Sequence, residues 1–408
     1  MKHFFIIFFL ALNVLIADTY WLNPAVLGSL LLIVPIFLIG LGEHNEKLFR
    51  YRKLVVPFIV FFTYIYIVDV IREGDFIVNT YLYILNIMTI CVALFFTNKA
   101  KYIHLYFVIF LFCNFFAQLL QVLGFHFTSV NILGPLGFMG HADANFFDLS
   151  RGFRYSGLFI NLLPLAFLAG VLIVYFWLLY NQSKKKIYLL FLIISIAVVV
   201  LTNTRAVIFA ILPIIICVDV WVNKRLSYKF ILLGSIFLLF FAFTQSKSGV
   251  DSDDTTMKIS GLESDPGVAD RVQANVYASI GVLELSPFFG LRIDEQDAAI
   301  WNGYTKIGLF YGDRFHDHVT FHNQPLFYFR VYGLIGFLLF FWAYWRAIIF
   351  AYRQSNPTTR FYLLVVLIFF FVYTLSHNMK VNYLIFWLAL SAGLNNSPQP
   401  KERLFYEK

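Results

Sequence analysis

Apolar runs of bilayer-spanning length recur from one end of this chain to the other. They lie at about 3–18, 22–42, 54–71, 79–97, 105–123, 156–180, 187–203, 206–222, 229–245, 326–350, 361–377 and 381–395. A helix needs about 20 apolar residues to cross the hydrocarbon core, so the pattern predicts an all-α polytopic membrane protein with about 12 spans. Composition agrees. Of 408 residues, 60% are hydrophobic and 13% are charged, which is too little polar surface to cover soluble domains of that size. Fifty Phe and twenty-four Tyr suit lipid-facing and interfacial positions.

The first run resembles a signal peptide. No small-residue cleavage site precedes Trp21 and a second run follows at once, so it reads as a retained helix. The net charge of +8 does not point to nucleic acid, because the basic residues fall in short clusters between apolar runs. Alternating the spans from an inside N-terminus puts 18 Lys and Arg on one side. Only five lie on the other outside its longest loop: Arg72, Arg151, Arg154, Arg205 and Lys380. That asymmetry places both termini in the cytoplasm. Cys91, Cys113 and Cys217 each lie inside an apolar run and read as packing residues.

Three regions follow: spans 1–9 over 1–245, a large outer loop over 246–325, and spans 10–12 with a cytoplasmic tail over 326–408. The loop holds twelve of the twenty-three acidic residues. Its start, SKSGVDSDDTTMKISGLESDPG, reads as a mobile segment. Its middle, ADRVQANVYASIGVLELSPFFG, has helical periodicity, with Val272, Val276, Ile280, Val282, Leu283 and Leu285 available to pack on the membrane domain until Pro287 stops the helix.

Charges beside spans are expensive and are functional candidates for that reason. Arg205 sits in LTNTRAVIFAIL with almost no loop between two spans, and Arg154 precedes a span interrupted by Gly157, Asn161 and Pro164. Arg271 follows Asp270 in the loop helix. His322 opens HNQPLFYFRVYG, and a neutral imidazole is the natural general base near pH 7. In the same stretch Arg330 reads as paired or as reaching the headgroups, and Gly333 and Gly336 as close helix packing that fixes where His322 points. His316, Asp317 and His318 do not have a common zinc-ligand spacing, so no metal is expected. Arginines and a histidine gathered at the outer membrane surface suit a lipid-linked diphosphate, which guanidinium grips with paired hydrogen bonds.

At these positions the chain resembles the O-antigen polymerase and ligase superfamily. RYSGLFINLLPLA resembles its Arg–x–Ser–Gly–Leu–Phe segment, and TNTR resembles its arginine turn. ADRVQANVYASIGVLELSPFFG is similar to its loop helix with a Pro–x–x–Gly exit, and HNQPLFYFRVYG to its His–Asn pair with Gly after ten intervening residues. The resemblance spans roughly 150–340. It implies a GT-C-like glycosyltransferase of the bacterial inner membrane with a periplasmic active site and no cofactor. The donor would be an undecaprenyl-diphosphate-linked glycan, and a separate chain-length regulator would be a partner. His322 would be the base, Arg205 and Arg271 would hold the diphosphate, and Arg154 would be a secondary contact. A polymerase is favoured over a ligase. A transporter is the non-enzyme alternative, and it would need its polar groups near the midplane.

Overall fold

A computed structural model describes residues 3–8, 37–42, 45, 49–74, 76–96, 100–123, 155, 157–158, 162–202, 204, 207, 210–211, 213–214, 277–292, 295–296, 323–354 and 356–374. Among these, every regular element is helical. The principal helices are α1 (Arg52–Glu73), α2 (Phe76–Phe96), α3 (Ala100–Val122), α4 (Leu162–Ser183), α5 (Lys186–Thr202), α6 (Gln324–Tyr352) and α7 (Pro357–Thr374). Five of them are long and apolar enough to cross a membrane, and α5 and α7 are shorter apolar helices. Helices are the expected answer here, since hydrocarbon offers no partner to an open backbone group. The expected spans 22–42, 206–222, 229–245 and 381–395, and the start of the large loop, lie wholly or mostly outside the described residues, as does most of 3–18.

Packing between neighbours closes a ring in the order α1, α2, α3, α5, α4, α7, α6 and back to α1. The apolar surfaces differ around it. Residues 165–169 and 171–176 of α4 and most of 361–370 of α7 are buried, whereas α1 and α2 leave Ile71, Phe76 and Ile77 exposed at their joined ends. Aromatic stacking knits α4 to α7: the Phe167 and Phe369 rings lie 5.0 Å apart. Gly170 permits that approach, because a Cβ there would stand 2.9 Å from Phe369.

Helices α1 and α6 run antiparallel in a register that can be read along their length. The Tyr51 and Phe350 rings meet at one end, 5.9 Å apart, and Phe61 and Phe340 meet midway at 6.0 Å. At the other end the Tyr332 hydroxyl donates to Asp69 Oδ2 at 3.2 Å.

One sequence expectation is corrected at this end. The apolar run 326–350 reads as one span, with Gly333 as a packing glycine. Instead α6 is two arms, 324–332 and 334–352, broken at Gly333 (φ 67°, ψ −167°). The break is sharp. The Tyr328 ring lies 5.0 Å from that of Phe340, although twelve residues of straight helix would separate their Cα atoms by about 18 Å. The second arm alone, at about 28 Å, matches the bilayer core. Gly336 keeps its expected packing role, with Tyr64 Cε1 3.3 Å from where a Cβ would stand.

The loop helix is also corrected in its face. It runs over 277–285 and ends before Pro287, as expected. Its inward side carries Tyr277, Ala278 and Val282, while Leu283 and Leu285 are exposed. Val282 packs with Phe329 of α6, flanked by Leu291 and Phe337.

Candidate functional site

All four expected site residues, His322, Arg205, Arg271 and Arg154, lie outside the described residues, as do His316, Asp317 and His318. Described residues adjoin Arg154, Arg205 and His322, the nearest after Arg271 is Tyr277, and these stretches form two splices between helix ends.

The first splice joins the loop exit to the broken α6. A break in a helix frees the carbonyls before it and the amides after it, and inside a membrane each needs a protein partner. Leu334 N donates to Pro287 O at 2.8 Å and Ile335 N to Phe288 O at 3.3 Å. Leu291 N donates to Arg330 O at 2.8 Å. The Tyr64 hydroxyl donates to Tyr332 O at 2.9 Å. Arg72, at the end of α1, takes another freed carbonyl: its Nη1 donates to Val331 O at 2.6 Å. The same guanidinium reaches the loop, with Nη2 donating to Phe289 O at 2.6 Å and to Gly290 O at 2.7 Å. Arg292 returns the contact by donating from Nη1 to Arg72 O at 3.3 Å.

Two glycines let the strands of this joint touch. A Cβ on Gly290 (φ 79°) would stand 2.5 Å from Val331 C and 2.6 Å from Gly333 N. A Cβ on Gly333 would overlap the Phe288 carbonyl and stand 2.5 Å from Phe289 N. The Pro–x–x–Gly exit and the glycine of the His–Asn segment, two separate motifs in the sequence, are thus opposite halves of one contact.

Arg330 sits inside this joint, fully buried. Its Nε donates to Gln296 Oε1 at 3.0 Å, and Gln296 Nε2 donates to Leu291 O at 3.1 Å and to Arg330 O at 3.3 Å. Burial excludes reaching for the headgroups, and the partner seen is the neutral Gln296 side chain. The first arm itself begins with a formed cap: Asn323 Oδ1 accepts from Leu326 N at 3.0 Å, with Pro325 in the first turn. The residue before that cap is His322.

The second splice joins the segment after Arg154 to the helix end before Arg205. Tyr155 N donates to Leu201 O at 3.0 Å, satisfying a terminal carbonyl of α5. Three buried amides on α3, at i, i+4 and i+7, hold the other side. Gln121 makes a two-way pair with Gly157, donating to its O at 2.8 Å and accepting from its N at 3.0 Å. Asn114 Oδ1 accepts from Leu158 N at 3.1 Å. Gln118 Nε2 donates to Tyr155 O at 2.9 Å and to Val198 O at 3.3 Å, so one side chain touches both segments. Gly157 is needed for this fit, since a Cβ there would be 2.8 Å from Asn114 Oδ1. On the α5 side, Thr204 is buried and its O accepts from Val207 N at 3.1 Å.

Asn114, Gln118, Gln121 and Gln296 were not singled out in the sequence. The three α3 amides carried a signal, namely polar side chains at helical spacing inside an apolar run. Gln296 carried none. Arg72 was counted there only as an outer charge. Among the described residues no group of His, Cys, Asp and Glu could hold a metal ion.

Comparison with known proteins adds one match. Residues 190–341 match the family model described as O-antigen ligase. That stretch contains three of the four motif segments and both sides of the first splice. No curated protein matches the chain. The resemblance read from the motifs thus stands for the O-antigen polymerase and ligase superfamily, which comprises glycosyltransferase-like membrane enzymes.

Proposed function

We propose that this relative of the O-antigen polymerases and ligases is a polymerase. It moves a growing glycan from undecaprenyl diphosphate onto a lipid-linked repeat unit at the periplasmic face of the bacterial inner membrane. The acceptor hydroxyl loses its proton to His322 and attacks the anomeric carbon of the donor. As that C–O bond forms, the bond to the diphosphate breaks, and its electron pair leaves with undecaprenyl diphosphate. In-line attack inverts the anomeric centre. Arg205 and Arg271 hold the diphosphate and offset the charge it gains, with Arg154 as a secondary contact. Guanidinium supplies the positive charge, so no metal is required. A separate chain-length regulator would act as partner.

The observation that carries this reading is the pairing of motif segments. Tyr155, next to Arg154, is bonded to Leu201, four residues before Arg205. The turn at 287–291, in the same motif segment as Arg271, is bonded to the arm that follows His322. Separate motifs that meet in the fold are expected of one site assembled from several helices.

A second reading, the ligase that moves a finished chain onto lipid A–core, is favoured by the description of the matched family model. Deleting the chain and resolving the lipopolysaccharide on a gel separates the two. Core carrying a single repeat unit identifies the polymerase. Bare core, with long chains still on the lipid carrier, identifies the ligase. An unchanged ladder overturns both.

A further inference from the structure

The sequence gives Arg72 no role beyond its charge. In the structure its guanidinium reaches from α1 and bonds both halves of the first splice. Its three acceptors are Val331 O on α6 and Phe289 O and Gly290 O on the loop, all within 2.6–2.7 Å. These carbonyls lie on two chain segments that reach the joint from opposite directions. One follows the loop helix described over 277–285. The other is the arm that begins after His322. The planar fork of a guanidinium suits this task, since its nitrogens are fixed relative to one another and can serve several acceptors at once.

Arg72 is itself held from two sides. Its backbone lies in the last turn of α1, which ends in a left-handed cap at Gly74 whose N–H donates to Val70 O. Arg292 of the loop donates to the Arg72 carbonyl. Below it, Asp69 and Tyr64 grip Tyr332 through its hydroxyl and its carbonyl. Thus α1 acts as a post along which the register of the joint is set, with Arg72 at its head.

We propose that Arg72 is a positioning residue: it locks the loop exit to the broken α6, so that the segments bearing Arg271 and His322 keep one relative placement. This rests on the transferase reading above. Arg72 acts through its three carbonyls and does not touch the substrate.

The test compares Arg72→Ala, Arg72→Lys and the unaltered chain in nanodiscs, with lipid-linked repeat units as substrate. Cys91, Cys113 and Cys217 are replaced by Ser in all samples. Arg72→Ala should lower kcat at least 10-fold with KM for the donor changed less than 3-fold, and Arg72→Lys should fall between. The decisive step is rescue. Phe288→Cys and Leu334→Cys, both at exposed positions of the joint, are bridged with a short bismaleimide. The bridge should restore at least half of the activity to Arg72→Ala and leave the Arg72 chain unchanged. A bridged Arg72→Ala chain that stays inactive overturns the positioning role, as does full activity of unbridged Arg72→Ala. A second readout needs no substrate. Nitroxides at Leu283→Cys and Leu338→Cys should give a narrow distance distribution that broadens in Arg72→Ala. An unbroadened distribution overturns the proposal whatever the activity does. His322→Ala in the same assay separates the two readings: if it transfers at the normal rate, the transferase mechanism fails while the distance result for Arg72 stands.

Discussion

Replacing Gly333 by Ala tests the broken helix most sharply. Two costs are expected, and a second glycine separates them. Gly333 and Gly74 have nearly the same φ, 67° and 68°. Their ψ differs, so a side chain costs about 1–2 kcal/mol at Gly74, which is left-handed helical (ψ −4°), and about 1–3 kcal/mol at Gly333, whose ψ of −167° lies in a region essentially confined to glycine. The surroundings differ. A Cβ on Gly74 meets nothing within 4 Å, whereas one on Gly333 overlaps the Phe288 carbonyl and crowds Phe289 N at 2.5 Å. The obstacle is backbone, so it cannot rotate aside. The 287–291 segment must move, and with it the bonds Leu334 N to Pro287 O and Ile335 N to Phe288 O. Leaving a buried backbone group without its partner costs about 1–3 kcal/mol. Losing even two such bonds brings Gly333→Ala to roughly 3–9 kcal/mol, against about 1–2 for Gly74→Ala. Thermal unfolding in detergent, followed by the loss of the monodisperse chromatographic peak, should show a large drop in midpoint for Gly333→Ala and a small one for Gly74→Ala. Equal drops would refute the reasoning, because the clash with Phe288 and the lost bonds would then add nothing to the strain of a positive φ.

Three further outcomes follow from the same structure. Gln121→Met keeps the volume but removes both bonds to Gly157, so it should destabilise the chain by about 2–4 kcal/mol, read by the same unfolding assay. Asn114→Leu also removes a bond to this turn, but it should cost about 1–3 kcal/mol because Asn114 supplies only one. Arg205→Lys should abolish glycan transfer without lowering the amount of protein in the membrane, since a point charge does not replace a bidentate fork. A normal lipopolysaccharide ladder in that variant would remove Arg205 from the site.

The helices were legible in the sequence because their signal is local. Runs of apolar residues gave α2, α3 and α5 to within a few residues, and Pro287 correctly ended the loop helix. The start of α4 was placed early, at 156, because Gly157 and Leu158 look apolar in a run; in the structure they form a turn held by α3 amides. The break at Gly333 was invisible for a different reason. Ten of the eleven residues Leu326–Gly336, Arg330 being the exception, are ones an unbroken span could contain. What breaks the helix is the turn segment Pro287–Leu291, more than forty residues upstream, offering carbonyls and an amide in place of the helix's own. Likewise Arg330 had two readings until its partner Gln296 was located, because burial is a tertiary property. The motif segments were legible singly. That they meet in pairs was not, since a sequence orders them along the chain and says nothing of what faces what.

The central claim is that His322 takes the proton from the acceptor hydroxyl during glycan transfer. The most direct measurement uses purified protein in nanodiscs with lipid-linked repeat units and follows chain extension together with release of undecaprenyl diphosphate. The account predicts that the unaltered chain extends the glycan and releases one diphosphate carrier per bond formed, and that His322→Ala does neither while remaining folded. Transfer by His322→Ala at the unaltered rate would contradict it.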